Sequence, residues 1–137
     1  MILIESPAAI VMNEDAVKAY PDECCGFMYG NDDTTGSRRV SMALPVNNSS
    51  VINRKRRFEI SPKDYMKAEK YALENNLQLL GVYHSHPDHP AEPSEHDRVA
   101  AQPFFSYMII SVLKGRVSNM RSWVLNDESR FDEEELN

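Results

Sequence analysis

Apolar and polar positions along this chain switch between a helical and a strand period. After the apolar opening Met1-Ile2-Leu3-Ile4, the run from Ala8 to Tyr20 is helical in spacing. Ile10, Glu14 and Val17 share one face and Met12, Ala16, Ala19 and Tyr20 another, so the alanine-rich side is predicted to pack inward. Ser6-Pro7 offers a cap with a first-turn proline, and Pro21 ends the run. Glu23 to Gly30 reads as an apolar, aromatic strand that begins at Glu23, and Arg38 to Val46 as a second strand. The polar segment 31–37 between them predicts a hairpin.

Phe58 and Ile60 predict a short strand. Ser61-Pro62-Lys63-Asp64 then reads as a capping box opening a helix that runs to about Asn75, with Tyr65, Ala68 and Ala72 on one face. Gln78 to Tyr83 is apolar and strand-forming. Phe104 to Leu113, the Lys114-Gly115 turn and the alternating Val117 to Leu125 predict a closing pair of strands. Asn126 to Asn137 is acidic and short of apolar residues, which predicts a disordered tail apart from Phe131, outside a domain of residues 1–125. A strand, helix, strand order implies a crossover in an α/β sheet, where ligands favour the carboxyl ends of strands.

Composition narrows the class. At 137 residues and 42% hydrophobic content, the chain can bury a core without staples. Its 15 basic against 21 acidic residues give a net charge of −6, which argues against general nucleic-acid binding. Met1 to Ile4 is too short for a signal-peptide core and lacks a basic flank, and there is no membrane segment, so a single cytoplasmic domain is expected. Cys24 and Cys25, the only cysteines, are adjacent and poorly placed to bridge each other. Two free thiols fit a reducing compartment and small core packing.

The chemistry concentrates in one stretch. Three of the four histidines, His84, His86 and His89, lie within six residues, and the fourth, His96, precedes Asp97. His84 and His86 fall at the exit of the Gln78–Tyr83 strand, where residues two apart point to one face and bring both imidazoles toward one point. Pro87, Pro90 and Pro93 stiffen the following loop. Ser94-Glu95-His96-Asp97 reads as a capping box that returns Asp97 toward the histidine pair. Two neutral imidazoles and a carboxylate form a three-ligand zinc set that keeps a fourth position open, the arrangement of catalytic sites. A carboxylate serving both zinc and the capping box is over-committed, and the metal is expected to win.

His84-Ser85-His86-Pro87, six residues, then Ser94-x-x-Asp97, with Glu23 upstream in Asp22-Glu23-Cys24-Cys25-Gly26-Phe27, resembles the JAMM motif of the Mov34/MPN (PAD-1) metalloproteases. The resemblance covers nearly the whole chain. It implies an α/β fold, a single MPN/JAMM-like domain whose mixed, curved β-sheet is flanked by helices, similar in kind to the cytidine deaminases. It also implies one catalytic Zn2+ held by His84, His86 and Asp97, with Glu23 as general acid/base and Ser94 stabilising the oxyanion.

The activity so implied is hydrolysis of an amide or isopeptide bond after the carboxyl-terminal Gly-Gly of a ubiquitin-like protein. Small members of this kind suggest a ubiquitin-like sulfur-carrier protein as partner, with cysteine, a peptide or a lysine amine as leaving group. By position, Arg54, Arg56 and Arg57 of the basic run 54–57 are candidates to hold the substrate tail. His89 and His96 receive no role, and the choice between monomer and homodimer stays open. The alternatives are a non-catalytic MPN-type scaffold recognising the same tail and a zinc deaminase. The latter lacks its Pro-Cys-x-x-Cys ligand pair here. A cysteine nucleophile would leave the Ser94-x-x-Asp97 spacing unexplained.

Overall fold

The computed structural model describes residues 1–33 and 36–137; Thr34 and Thr35 of the expected polar turn lie outside them. Strand β1 (Ile2–Ile4) leads into helix α1 (Ser6–Ala19), followed by β2 (Cys25–Asp32) and β3 (Arg38–Val46). Helix α2 (Pro62–Glu74), β4 (Gln78–Pro87), α3 (Glu95–Ala100), β5 (Ser106–Leu113), β6 (Arg116–Leu125) and β7 (Phe131–Glu134) complete the chain. The strands form one sheet in the order β1-β3-β2-β4-β5-β6-β7. The β1–β3 and β4–β5 pairs are parallel and the others antiparallel.

The mixed sheet carries a helix on each face. On one side Ala8, Met12 and Ala16 of α1 are buried against Ile2, Val40, Met108, Ile110 and Val112, while Ile10 and Val17 stay exposed, the division that the helical pattern predicts. On the other side Ala68 and Ala72 of α2 pack with Phe27, Tyr29, Val82 and Tyr107. Small residues on both helices let the backbones approach the sheet closely.

Two crossovers meet at β4. The chain passes from β3 through α2 to β4, skipping β2, and from β4 through α3 to its parallel neighbour β5. The carboxyl end of β4 therefore opens into the crossover that carries α3. Within β4 the register against β2 skips Leu80, pairing Met28 with Gly81 and Tyr29 with Leu79. Gly81 is required there, because a Cβ would stand 1.9 Å from the Ser106 carbonyl oxygen.

Four expectations need correction. The acidic tail is ordered. Phe131–Glu134 pairs with β6, and residues 135–137 run beside β1, with Ile2 N–H donating to the Glu135 carbonyl (2.9 Å) and Asn137 N–H to that of Ile2 (2.9 Å). Its acidic side chains are matched across the strands, Glu133 with Arg121 and Glu134 with the Ser122 hydroxyl, so they do not repel the sheet. Phe58 and Ile60 form no strand; their side chains pack against the cluster of Phe27 and Val82 from an irregular segment. The cap of α1 is Glu5, with no side-chain hydrogen bond, and Ser6 lies inside the helix. Strand β2 begins at Cys25, leaving Glu23 in the approach to it.

Candidate metal centre

β4 runs through Pro87, so His84 and His86 stand within the strand's last turns of pleat, paired with Ile109 and Ser111 of β5. Their same-face placement brings the two Nε2 atoms to 3.1 Å from each other. Asp97, in the first turn of α3, places Oδ2 3.3 Å from His84 Nε2 and 3.1 Å from His86 Nε2. All three residues are buried. A tetrahedral zinc with bonds of about 2.0 Å separates its ligand atoms by about 3.3 Å, which is the size of this triangle.

The same Asp97 oxygen accepts the Ser94 N–H at 2.9 Å, and the Ser94 hydroxyl accepts the Asp97 N–H at 3.0 Å. Asp97 Oδ2 thus closes the capping box while facing both imidazoles. A carboxylate oxygen has lone pairs enough to take the cap bond from one side and face the imidazoles from the other.

His86 Nδ1 lies 2.9 Å from the Pro90 carbonyl oxygen. A carbonyl can only accept, so Nδ1 carries the proton and Nε2 offers its lone pair to the centre. The ring of Phe58 stacks on that of His84 at 4.4 Å. His84 Nδ1 has no hydrogen-bond partner among the described residues. Burial lowers the His84 pKa and favours its neutral form, the form that ligates metal.

Glu23 joins the group from the approach to β2. Its carboxylate lies within 4.8 Å of the ligating atoms of both histidines, and its Oε1 is buried without a partner among the described residues. The backbone around it is pinned. Its N–H donates to the Arg54 carbonyl (2.7 Å), its carbonyl accepts from Asn48 Nδ2 (3.2 Å), and next to it Cys24 N–H donates to the Ser85 hydroxyl (2.8 Å). Ser85 thus ties the His84-Ser85-His86 segment to the strand that follows Glu23.

The two carboxyl groups differ in protonation. Burial, and then the Asp97 charge, push Glu23 up to about 9, with Arg56 pulling the other way. Burial also opposes charge on Asp97, but the His84 and His86 rings and the Ser94 N–H outweigh it and hold that carboxyl well below its ordinary value. Asp97 suits a permanently anionic ligand and Glu23 a group that takes up and releases a proton. The thiols have no such tuning. Burial pushes both up, Cys25 to about 12, so neither is a ready nucleophile.

The model for prokaryotic homologs of the JAB domain matches residues 5–126. The chain belongs to this family. A desampylase of Pyrococcus furiosus is 26% identical over 111 residues, covering 81% of this chain and 72% of its own. A desampylase of Haloferax volcanii is 32% identical over 99 residues, 72% of this chain and 68% of its own. A protein of Desulfitobacterium hafniense solved in solution superposes with a TM-score of 0.86 at 32% identity, over 100% of this chain and 92% of that one. Among the described residues, no helix of this JAB-domain chain is long and apolar enough to cross a membrane.

Two cavities flank the centre of the JAB domain. One, about 370 Å³, is lined by Phe58, Ile60, Tyr65, Tyr107, His84 and His96 among others. The second, about 240 Å³, is polar and bounded by Glu23, Arg56, His86, His89, Glu92 and Ser94. Of the three arginines singled out, Arg56 reaches this second cavity. Arg54 Nε instead donates to the Ser50 carbonyl (2.6 Å), and the Arg57 carbonyl accepts from Asn48. The sequence reading missed the aromatic wall, because Phe58, Tyr65 and Tyr107 come from separate elements. It also gave no part to Ser85 or to His96, which borders the first cavity.

Proposed function

We propose that the chain is a zinc-dependent hydrolase cleaving an amide or isopeptide bond after the carboxyl-terminal Gly-Gly of a ubiquitin-like protein, of the sulfur-carrier kind. The observation that carries the reading is the buried triangle of His84 Nε2, His86 Nε2 and Asp97 Oδ2, 3.1–3.3 Å on a side, with the Glu23 carboxylate within 4.8 Å of the ligating atoms of both histidines. His84, His86 and Asp97 would hold the zinc. That ion supplies Lewis acidity, lowering the pKa of water to roughly 7 and polarising a carbonyl.

The chain's own groups supply the rest. Glu23 takes the proton of the attacking water and returns it to the departing amine, a role that its buried carboxylate, within 4.8 Å of the ligating atoms of both histidines, is placed to fill. The Ser94 hydroxyl accepts the helix-cap bond and keeps its own hydrogen to donate to the oxyanion. The leaving amine must sit where Glu23 reaches it, in the polar cavity with Arg56 and His89, which leaves the aromatic cavity for the acyl side. The two desampylase relatives support a ubiquitin-like conjugate as substrate.

The test is a ubiquitin-like sulfur carrier extended past Gly-Gly by an amide-linked residue, incubated with zinc-loaded protein and followed by mass spectrometry. Release at the second glycine is expected, and neither a chelated sample nor Glu23→Gln should give it. An intact substrate in the presence of bound zinc would contradict the hydrolase reading and favour a scaffold that only recognises the tail.

A further inference from the structure

Three consecutive carbonyls in the loop after β4 are each held by a side chain from a different strand. The His89 oxygen accepts from Ser111 Oγ of β5 (2.6 Å), the Pro90 oxygen from His86 Nδ1 of β4 (2.9 Å), and the Ala91 oxygen from Trp123 Nε1 of β6 (3.1 Å). The middle bond is the one that sets the His86 tautomer. The outer two come from residues outside the ligand set.

The base of the loop is fixed as well. Asp88 N–H donates to the Val112 carbonyl (2.7 Å), and the Asp88 carboxylate accepts from Lys114 N–H (2.8 Å) and the Tyr20 hydroxyl (2.6 Å). Ala91 and Ser111 are almost fully buried, at 1% and 2% exposure. The Arg121 guanidinium lies 4.7 Å from the centre of the Trp123 ring and pairs with Glu92 of the loop, so the indole is held in turn. Pro87, Pro90 and Pro93 restrict the backbone between these anchors.

With the carbonyls on both sides anchored, the Pro90 carbonyl has one direction to point, toward His86. We propose that Trp123 and Ser111 are positioning residues for the metal centre: through the carbonyls of Ala91 and His89 they aim that of Pro90, which fixes the tautomer and ring orientation of His86. Outer hydrogen bonds of this kind orient a histidine ligand and raise its basicity, and losing them costs about 10–100-fold in metal affinity. The inference rests on the reading that His84, His86 and Asp97 hold zinc.

The experiment measures the zinc affinity of the metal-free protein by competition with a chromophoric chelator. It compares wild type with Trp123→Phe, which keeps an aromatic ring but loses the N–H, and Ser111→Ala, which removes one hydroxyl. Ser122→Ala is the control, a buried serine beside Trp123 whose hydroxyl binds Glu134 instead of the loop. A weakening of up to about tenfold is expected in the first two, whose lost bonds lie one step beyond the direct partner of His86, and none in the control. The imidazole Nδ1–H proton of His86, bonded to the Pro90 carbonyl, is expected to exchange slowly in wild type by NMR and faster in both variants. Should Trp123→Phe fail to fold, Ser111→Ala carries the test alone.

Folded variants with wild-type zinc affinity and an unchanged Nδ1–H signal would overturn the positioning role while leaving the metal site intact. A wild-type protein that binds no zinc would instead sink the site itself, and the positioning role with it.

Discussion

Ser94 and Asp97 hold each other reciprocally, the Ser94 hydroxyl accepting the Asp97 N–H at 3.0 Å and Asp97 Oδ2 accepting the Ser94 N–H at 2.9 Å. The helix start therefore aims Asp97 at the histidine pair. Two separable losses are expected from Ser94→Ala. Removing a cap costs about 1 kcal/mol, read as a small drop in Tm. Removing an oxyanion donor costs about 10²–10³ in kcat with little change in KM. A kcat within a few-fold of wild type beside a lowered Tm would leave Ser94 only its structural part.

Glu23 makes the metal-free protein's stability depend on pH. Its pKa in the folded chain, about 9, lies above its ordinary value, so the folded state holds the proton more tightly than the unfolded one. Its contribution is then fully present below about pH 4.5, declines as pH rises, and is gone above about 9. Urea titrations of metal-free wild type and Glu23→Gln from pH 5 to 9 should differ progressively. The variant should gain a few kcal/mol on wild type at the upper end, given roughly 1.4 kcal/mol per pKa unit. Parallel curves would show that Glu23 ionises freely in the folded protein.

Arg56 is expected to tune that same group. It draws the Glu23 pKa down from across the polar cavity, so Arg56→Gln should raise it further. A base that must be ionised to act would then need a higher pH, and the acid limb of the kcat/KM profile should move upward. Arg57→Gln, whose side chain does not line that cavity, should leave the limb in place. Identical profiles for the two variants would remove Arg56 from the site.

Much of this was legible in the sequence because the informative signals are local. His84 and His86 face one way because a strand has a period of two, and Ser94 and Asp97 meet because a capping box spans three residues. The helix faces of α1 and α2 followed from periodicity alone. Phe58 and Glu133 resisted for one shared reason. Each takes its place from a partner far along the chain, Phe58 from the His84 ring and Glu133 from Arg121. An acidic segment looks disordered until its cross-strand cation is known.

Gly81 ties the fold to the site. A methyl there would meet the Ser106 backbone, 1.9 Å to the oxygen and 2.8 Å to the carbon, and backbone cannot turn aside as a side chain can. Gly81→Ala should therefore push β4 from β5, three residues before His84. Overpacking of this sort costs about 1–3 kcal/mol, readable by urea unfolding, and zinc affinity should fall with it. Unchanged stability would mean that the two strands have more room than their spacing indicates.

The central claim is that one histidine pair with Asp97 holds a catalytic zinc. Its most direct measurement is the metal content of purified protein beside a His84→Ala, His86→Ala double variant, with cleavage of a Gly-Gly-amide-extended ubiquitin-like substrate assayed on the same samples. One zinc per chain, lost in the variant together with cleavage, is the expected result. No zinc in the wild type after incubation with the metal, or zinc and cleavage both surviving in the variant, would contradict it.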